Sequence, residues 1–431
     1  MWHRDGLFGK LAPIPMPISR GSVRHALAED FNNCLQVVLR PGHITRRATR
    51  AEKQKLRDQI CAKFRVPHAS LFPYARSAFF FILKALDLPK GSEILLTPIT
   101  IGPMLEVIRA LGHRPIFVDL ELKTFCADVK DLEKKLQTKP ACFLCTYLFG
   151  YVPDIEKLAA LCRAAGTVMI EDFSQNIGAQ FNGRFLGSFG RAGIYSASLL
   201  KYVDGYNGAF VITEDTALFQ RLEAETAQFT SPDSGRIAGI IKTTLLWNFC
   251  LHRVPFALLV FPLLRLIKKW SPPLFEKILG PKILMKNKKN LPGYYFEDIC
   301  QLQCKTIGRH LEKLEELLVE RSSLAEKVIR LAVKNPCEPA EKPVGHTYWQ
   351  LMFPVQDLQK ARQALFEISV ETGATNLFNL AETEGVQLQN AKKVKENHIF
   401  IPLHPWVTSK QYERIFMTLA KTRRPPSKNE N

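Results

Sequence analysis

The chain has 431 residues, is 46% hydrophobic and carries a formal net charge of +18. This composition excludes a disordered polymer and is enough for a sizeable core, divided into a large domain and smaller parts. The charge by itself suits nucleic acid or an anionic membrane, but between Arg236 and Lys289 eleven basic residues face the single acid Glu276, a balance of +10, so over half the excess sits in one segment.

Ten cysteines are scattered, and nothing near the start reads as a secretory signal, so a reduced, cytoplasmic chain is expected. Cys142 and Cys145 have a metal-like spacing, but they lie inside an apolar strand pattern with no second pair, so buried thiols and no metal are expected there.

Residues 1–67 form an N-terminal segment, basic around "RRATRAEKQK", with no role legible in the sequence. From 68 to 230 short apolar runs alternate with helical patterns. "SAFFFILKALDL" predicts a helix, "EILLT" a strand, "PMLEVIRALG" a helix, "RPIFVDL" a strand, "DVKDLEKKL" a helix, "ACFLCTYLFG" a strand, "DIEKLAALCRAAG" a helix and "TVMIED" a strand. Repeated βα units with nearly continuous apolar strands predict an α/β domain whose mostly parallel sheet is covered by helices. From 293 to 431 the pattern predicts a smaller α+β domain: "YFEDICQLQCKTIGRHLEKLEELL" as one long helix, "TYWQLMFPV" as a strand and "DLQKARQALFEIS" as a helix.

Ligands of such sheets bind beyond the carboxyl ends of the strands. Glu171 and Asp172 follow "TVMI", Lys201 follows "GIYSAS", and Ser77 stands at or near the start of the first helix. Each has a plain reading, as a cap or a solvated charge. Together a carboxylate, an amine and a helix N-terminus are the groups that pyridoxal phosphate needs: one for the pyridinium nitrogen, one for a Schiff base, one for the phosphate.

On these residues the chain resembles the DegT/DnrJ/EryC1/StrS aminotransferases, which are fold type I pyridoxal phosphate enzymes acting mostly on nucleotide-linked keto-sugars. The resemblance runs from about 68 to 230 and resumes from about 293 to the end, where "HIFIPLHPWVTSKQYERIFMTLAK" looks like the family's closing strand, turn and helix. "MIEDFSQNIGAQFNGRFLGSFG" resembles the block that holds the pyridinium partner, which implies Asp172 in that role and Gln175 near the cofactor's ring hydroxyl. "YSASLLKYVDGYNGAFVIT" is similar to the Schiff-base block and implies Lys201 as the lysine and Ser196 as a phosphate ligand. "ARSA" resembles the phosphate turn, with Ser77 and Ala78 matched and Arg76 in place of glycine.

Two positions depart from the family. Ile101 replaces the aromatic ring that stacks on the cofactor, and Tyr295 replaces an asparagine that reaches the phosphate across a dimer interface. The resemblance implies a homodimer and a transfer from an amino acid, glutamate by family precedent, to a keto group of a nucleotide- or lipid-linked sugar or related acceptor. No arginine can be assigned as the donor's carboxylate clamp. The two departures leave open a membrane-associated scaffold that has lost catalysis, and a non-sugar ketone or aldehyde is a further alternative for the acceptor.

Residues 231–292 are the least family-like part. Apolar runs from Ile237 to Leu251 and from Val254 to Ile267, broken at His252 and Arg253, are each too short to span a bilayer. They predict two short helices lying in an anionic membrane interface, with Trp247 and Trp270 at headgroup level and basic residues from 236 to 290 among the headgroups. The alternative is a helical subdomain that packs on the dimer or over the active site. Nucleic acid is not expected, because these cations come with aliphatic runs and no stacking platform. A peripheral or monotopic position on the cytoplasmic face, with a lipid-linked substrate, follows from the membrane reading.

Overall fold

Seven strands form the central sheet of the computed structural model, which describes residues 16–40, 42–279, 291–339, 345–373, 375 and 377–422. They are β1 (His68–Phe72), β2 (Glu93–Leu96), β3 (Arg114–Phe117), β4 (Cys142–Thr146), β5 (Val168–Asp172), β6 (Ala192–Ser196) and β7 (Ala209–Thr213). The order across the sheet is β1-β7-β6-β5-β4-β2-β3. Only β7 opposes its neighbours; the β6, β5, β4, β2 and β3 pairs are parallel. The sequence pattern therefore predicted the sheet correctly.

Alternation along these strands builds two apolar layers. Leu95, Phe143, Met169, Tyr195 and Phe210 point to one side and pack with Leu56 and Ile60 of α2 (Arg50–Phe64) and Leu158 of α6 (Ile155–Ala165). Ile94, Leu144, Ile170, Ile194 and Val211 point to the other, against Phe79 and Ile82 of α3 (Ala75–Ala85) and Leu105 of α4 (Gly102–Ala110). The remaining helices here are α1 (Leu27–Leu39), α5 (Val129–Leu136) and α7 (Thr216–Ala227). Strand alternation puts Asp172 on the α3 face with Ile170, and Glu171 on the opposite face.

The segment before the sheet is helical and firmly tied. Thr49 and Glu52 form a capping box that starts α2, while bridges join Ile18 to Val370 and Arg47 to Cys300.

The helical insert follows α7. It comprises α8 (Ser234–Leu251), α9 (Arg253–Trp270), which contains a π turn over Phe256–Val260, and α10 (Pro272–Leu279). The break falls at His252, where ψ is 137°, and Pro255 sits in the next helix's first turn, where no N–H partner is needed. Among the described residues no single helix is long and apolar enough to cross a membrane; by length and composition only the pair α8 and α9, bent by 61°, reaches that far. Both packing and exposure hold here. Ile237 and Ile241 of α8 are buried with Ile44 and Tyr206, and Phe256, Phe261 and Phe275 are buried against Phe366. Outward, Leu258 is 69% and Trp270 78% exposed, with Leu259, Leu263 and Leu266 beside them. Lys282, Lys286, Lys288 and Lys289 lie outside the described residues.

The C-terminal part departs from the sequence expectation. The predicted long helix starts only at Gln301, as α11 (Gln301–Glu312), and breaks at Lys313 before α12 (Leu314–Lys334). Glu297 and Cys300 are held in bridges to Thr230 and Arg47, and Asp298 pairs with Arg47 and Lys53, so the chain before Gln301 is committed elsewhere. The strand expected at 347–355 is confined to β8 (Leu351–Pro354), antiparallel to β9 (His398–Ile401). These two strands share a core with α12, α13 (Leu358–Glu367) and α14 (Ser409–Thr422) through Val328, Phe353, Leu365, Ile399 and Phe416.

Candidate active site

Asp172 ends β5, between Thr146 of β4 and Ile194 of β6. Its carboxylate accepts the Ser174 N–H at 3.0 Å. Burial pushes its pKa up, while Ser174 and the charge of Lys201 pull the other way. Glu171, the other acid at this strand end, is committed to structure: it accepts from Tyr147 Oη and from the amides of Gly187 and Gly190.

Lys201 stands in the turn after β6. Leu200 takes φ 72°, uncommon for a side chain of its size, and the turn is pinned by Lys201 N–H to Ser198 O at 3.1 Å and Gly205 N–H to Ala197 O at 2.8 Å. The amine lies 4.4 Å from the ring centroid of Trp349. Loss of water lowers its pKa to about 8, and the Asp172 carboxylate opposes that shift. Lys201 is thus a half-buried amine with a substantial neutral fraction near neutrality, set against a buried acid.

Trp349 reaches this place because Gly150 lets the chain pass. Gly150 has φ 92°, and a Cβ there would sit 2.8 Å from Thr347 Oγ1 and Trp349 N. Arg321 holds the same stretch by donating to the carbonyls of Tyr348 and Trp349.

Ser77 is not a cap. Tyr74 is the N-cap of α3, and Ser77, three residues in, is fully buried with no partner for Oγ among the described residues. Ala78 beside it is also fully buried. Thr146 and Thr97, at or just beyond the ends of β4 and β2, carry buried hydroxyls without partners as well. Orphan hydroxyls of this kind are rare in a finished core, and these lie at the carboxyl ends of strands or in the first turn of a helix. Ser196 ends β6; its N–H donates to Ser174 Oγ at 2.9 Å and its hydroxyl to Ser198 Oγ at 3.2 Å.

Arg76 sits among aromatic rings. Its guanidinium stacks over Tyr74 at 4.0 Å and lies 5.4 and 5.3 Å from the rings of Tyr294 and Tyr295. Tyr295 is buried inside its own chain, where it lines this aromatic pocket, and so does not extend outward as the replaced asparagine would. Gln175 uses Oε1 to accept Phe149 N–H at 2.7 Å, and its NH2 meets no acceptor among the described residues. Ile101 is the N-cap of α4 and packs at the edge of the α3-side core.

Sequence reasoning missed Trp349, Ser174 and, of the tyrosines around Arg76, Tyr74 and Tyr294. Ser174 had a signal, two residues beyond Asp172 in an Asx-turn position; Trp349 had none, being distant in sequence.

This is the fold of fold type I pyridoxal phosphate transferases. Residues 25–233 match the model of the DegT/DnrJ/EryC1/StrS aminotransferase family. The match begins at residue 25, earlier than the expected 68. The GDP-perosamine synthase of Escherichia coli O157:H7 is 27% identical over 168 residues, 39% of this chain and 46% of that protein. The pleiotropic regulatory protein of Geobacillus stearothermophilus is 31% identical over 169 residues, 39% of this chain and 45% of that one. The chain thus spans less than half the length of these curated relatives. An E. coli GDP-4-keto-6-deoxy-D-mannose-3-dehydratase, solved with bound hydrated PLP, superimposes with a TM-score of 0.68 at 16% identity, covering 95% of this chain and all of that one. Its likeness extends over the C-terminal part, where the family model does not match.

The residues present fit pyridoxal phosphate on their own chemistry: a depressed lysine, a buried carboxylate and an orphan hydroxyl in the first turn of α3.

Proposed function

We propose that the protein is a pyridoxal phosphate-dependent aminotransferase that moves an amino group from an amino acid, glutamate in the first instance, to a keto group on a nucleotide- or lipid-linked sugar or related acceptor. The observation that carries this reading is the pairing of Lys201, its pKa lowered to about 8, with buried Asp172 at the carboxyl ends of β6 and β5. When bound, the cofactor supplies the electron sink for deprotonation beside the transferred nitrogen. Asp172 would keep the ring nitrogen protonated, Ser77, Ala78 and Ser196 would hold the phosphate, and the Gln175 NH2 would meet the ring hydroxyl. Ile101 would cover a ring face without stacking on it. Lys201 would carry the cofactor covalently and afterwards move the proton. A lysine at this position, where the dehydrating members of the family carry histidine, favours transamination over loss of water.

The reading includes a homodimer and a peripheral position on the cytoplasmic face of an anionic membrane. Supporting the latter, α1 adds its own exposed row to that of α9: Phe31 is 62% and Leu39 68% exposed, with Leu35 and Val38 between. Between α1 and α8 runs an apolar groove of about 710 Å³ that includes Leu27, Phe31, Leu246 and Phe249, with Lys242 at its side. A lipid-linked acceptor would be presented at such a surface.

The test is a visible absorption spectrum of the protein supplied with pyridoxal phosphate, before and after L-glutamate, with borohydride fixation and mass spectrometry to find the labelled residue. A visible band that bleaches with glutamate, and a label on Lys201 that Lys201→Ala abolishes, are expected. A chain that takes up no cofactor would point instead to the catalytically inactive membrane scaffold, the alternative that Ile101 and Tyr295 favour.

A further inference from the structure

Arg24 is a half-buried cation with a shielded Nε, and among the described residues no carboxylate touches it, Glu320 acting on it only through its charge. Its Nε is shielded from solvent and has no acceptor, and among the described residues no hydrogen bond or carboxylate meets the guanidinium. Its close neighbour is the ring of Tyr202, 5.1 Å from Cζ. Loss of water and the charge of Arg321 pull its pKa down to about 10. The surrounding groups are already engaged. Arg321 donates to the carbonyls of Tyr348, Leu403 and Trp349 at 2.9, 2.5 and 3.2 Å. Arg20 is paired with Glu371, and His404 Nε2 lies 2.8 Å from Ser19 O. A guanidinium removed from water is otherwise paired or hydrogen-bonded, so among the described residues this arrangement lacks an anion in contact.

The position says which anion. Arg24 lines a cavity of about 70 Å³ shared with Arg321, Leu200 and Trp349. Leu200 precedes Lys201, Tyr202 under Arg24 follows it, and Trp349 carries the lysine amine over its ring. The cavity therefore lies beside the turn that carries Lys201, sharing the Trp349 wall with its amine, and has room for a group the size of a carboxylate. A planar guanidinium meets a carboxylate with two parallel N–H donors.

We propose that Arg24 binds a carboxylate of the amino-acid donor, with Arg321 positioning the walls around it. This rests on the aminotransferase reading above, and it supplies the clamp that the sequence alone did not reveal. Arg24 comes from the chain just before α1, so the segment ahead of the sheet becomes part of the donor site.

The test uses the full chain and glutarate, an unreactive dicarboxylate, by titration calorimetry, with inorganic phosphate as the competing probe. Wild type should bind glutarate, Arg24→Gln should weaken it at least tenfold, and Arg24→Lys should lose less, retaining the charge without the fork. Thermal midpoints and borohydride labelling of Lys201 with pyridoxal phosphate are read on the same preparations. Normal labelling with equal glutarate binding in wild type and Arg24→Gln would overturn the proposal while the aminotransferase reading stands. Loss of phosphate binding alone, or a wild type that ignores glutarate, would overturn it too. A wild type that binds glutarate through Arg24 but never labels at Lys201 would keep the anion site and sink the aminotransferase reading, and with it the donor assignment.

Discussion

Lys201 Nζ sits 4.4 Å from the centre of the Trp349 ring, so a residue of the C-terminal part supplies one wall around an amine from the large sheet. The ring acts in two directions: its face attracts the ammonium, and its bulk keeps water away. Desolvation is the larger influence on Lys201. Trp349→Ala should therefore raise the amine's pKa from about 8 toward its ordinary value. The measurement is the rate of pyridoxal phosphate uptake against pH. In the parent the rate should rise roughly eightfold between pH 7 and pH 8.5, following the neutral fraction of a group titrating near 8. In the variant the rise should move to higher pH, and an unmoved profile would refute the assignment.

Asp172→Asn should shift the same profile the other way. The carboxylate raises the lysine's pKa by its charge, so its removal leaves a more readily deprotonated amine and an uptake profile displaced below pH 8. The half-reaction with glutamate should nevertheless slow by on the order of 10²–10³, the scale of a lost preorganised charge. Parallel loss of uptake and half-reaction would mean that Asp172 only builds the pocket.

How much of this was legible follows from where each contact lies in sequence. Asp172, Lys201 and Ser77 stood out because each follows or precedes a strongly apolar run, and strand alternation separates Asp172 from Glu171. The parallel sheet was equally plain. Ser77 looked like a cap because hydroxyls before helices usually are, yet Tyr74 takes that place and α3 begins two residues earlier than Ser77. Trp349 and Arg24 were invisible because nothing local marks them. One arrives through the close approach at Gly150, the other through a segment whose helices pack on distant parts of the chain. The helix expected over 295–318 failed because Glu297, Asp298 and Cys300 are held by Thr230, Arg47 and Lys53, contacts that no window of neighbouring residues contains.

Buried polar groups link α1, α8 and the lysine turn. His25 Nδ1 lies 2.8 Å from Asp30 Oδ1, and Nε2 lies 3.0 Å from Asp204 O and 3.6 Å from Asp204 Oδ1. Asp30 also accepts from Tyr206 Oη and from Asn248 Nδ2, and Asn33 donates to Tyr206 Oη at 2.8 Å. The ring of His310 stands 5.2 Å from His25. Asp30 and Asp204 outweigh burial and raise the pKa of His25, while burial raises Asp204 to about 6. The raised histidine stabilises the fold fully below its unfolded value near 6.5, and that contribution is lost as pH climbs through its folded value. The raised carboxyl costs stability progressively as pH climbs from its unfolded value near 3.8 to about 6. Thermal midpoints should therefore fall as pH rises above 6.5 in the parent. His25→Gln should be less stable at pH 6 by about 3–5 kcal/mol, the cost of breaking a buried pair, and should not show that fall. Parallel curves for the two proteins would show that His25 is not the titrating group.

Membrane association can be tested through the two exposed apolar rows. Leu258, Leu263 and Trp270 on α9 and Phe31, Leu35 and Leu39 on α1 face outward, and Lys268 and Lys269 stand beside Trp270 in the last turn of α9. If these rows enter the interface together, the protein should pellet with anionic vesicles and be released by salt. Each basic residue at the surface contributes about 1 kcal/mol, and 1 M salt shortens the screening length to about 3 Å. Lys268→Glu with Lys269→Glu should weaken binding by at least tenfold. Leu258→Ser with Leu263→Ser should weaken it without changing the salt dependence, since these act through buried area, at roughly 1.5–3 kcal/mol for each leucine withdrawn from water. Leu35→Asp with Leu39→Asp should weaken it as well, because α1 would share the same surface. Unchanged pelleting of the α1 variant would confine the contact to the insert, and equal pelleting on neutral and anionic vesicles would rule out the electrostatic attraction.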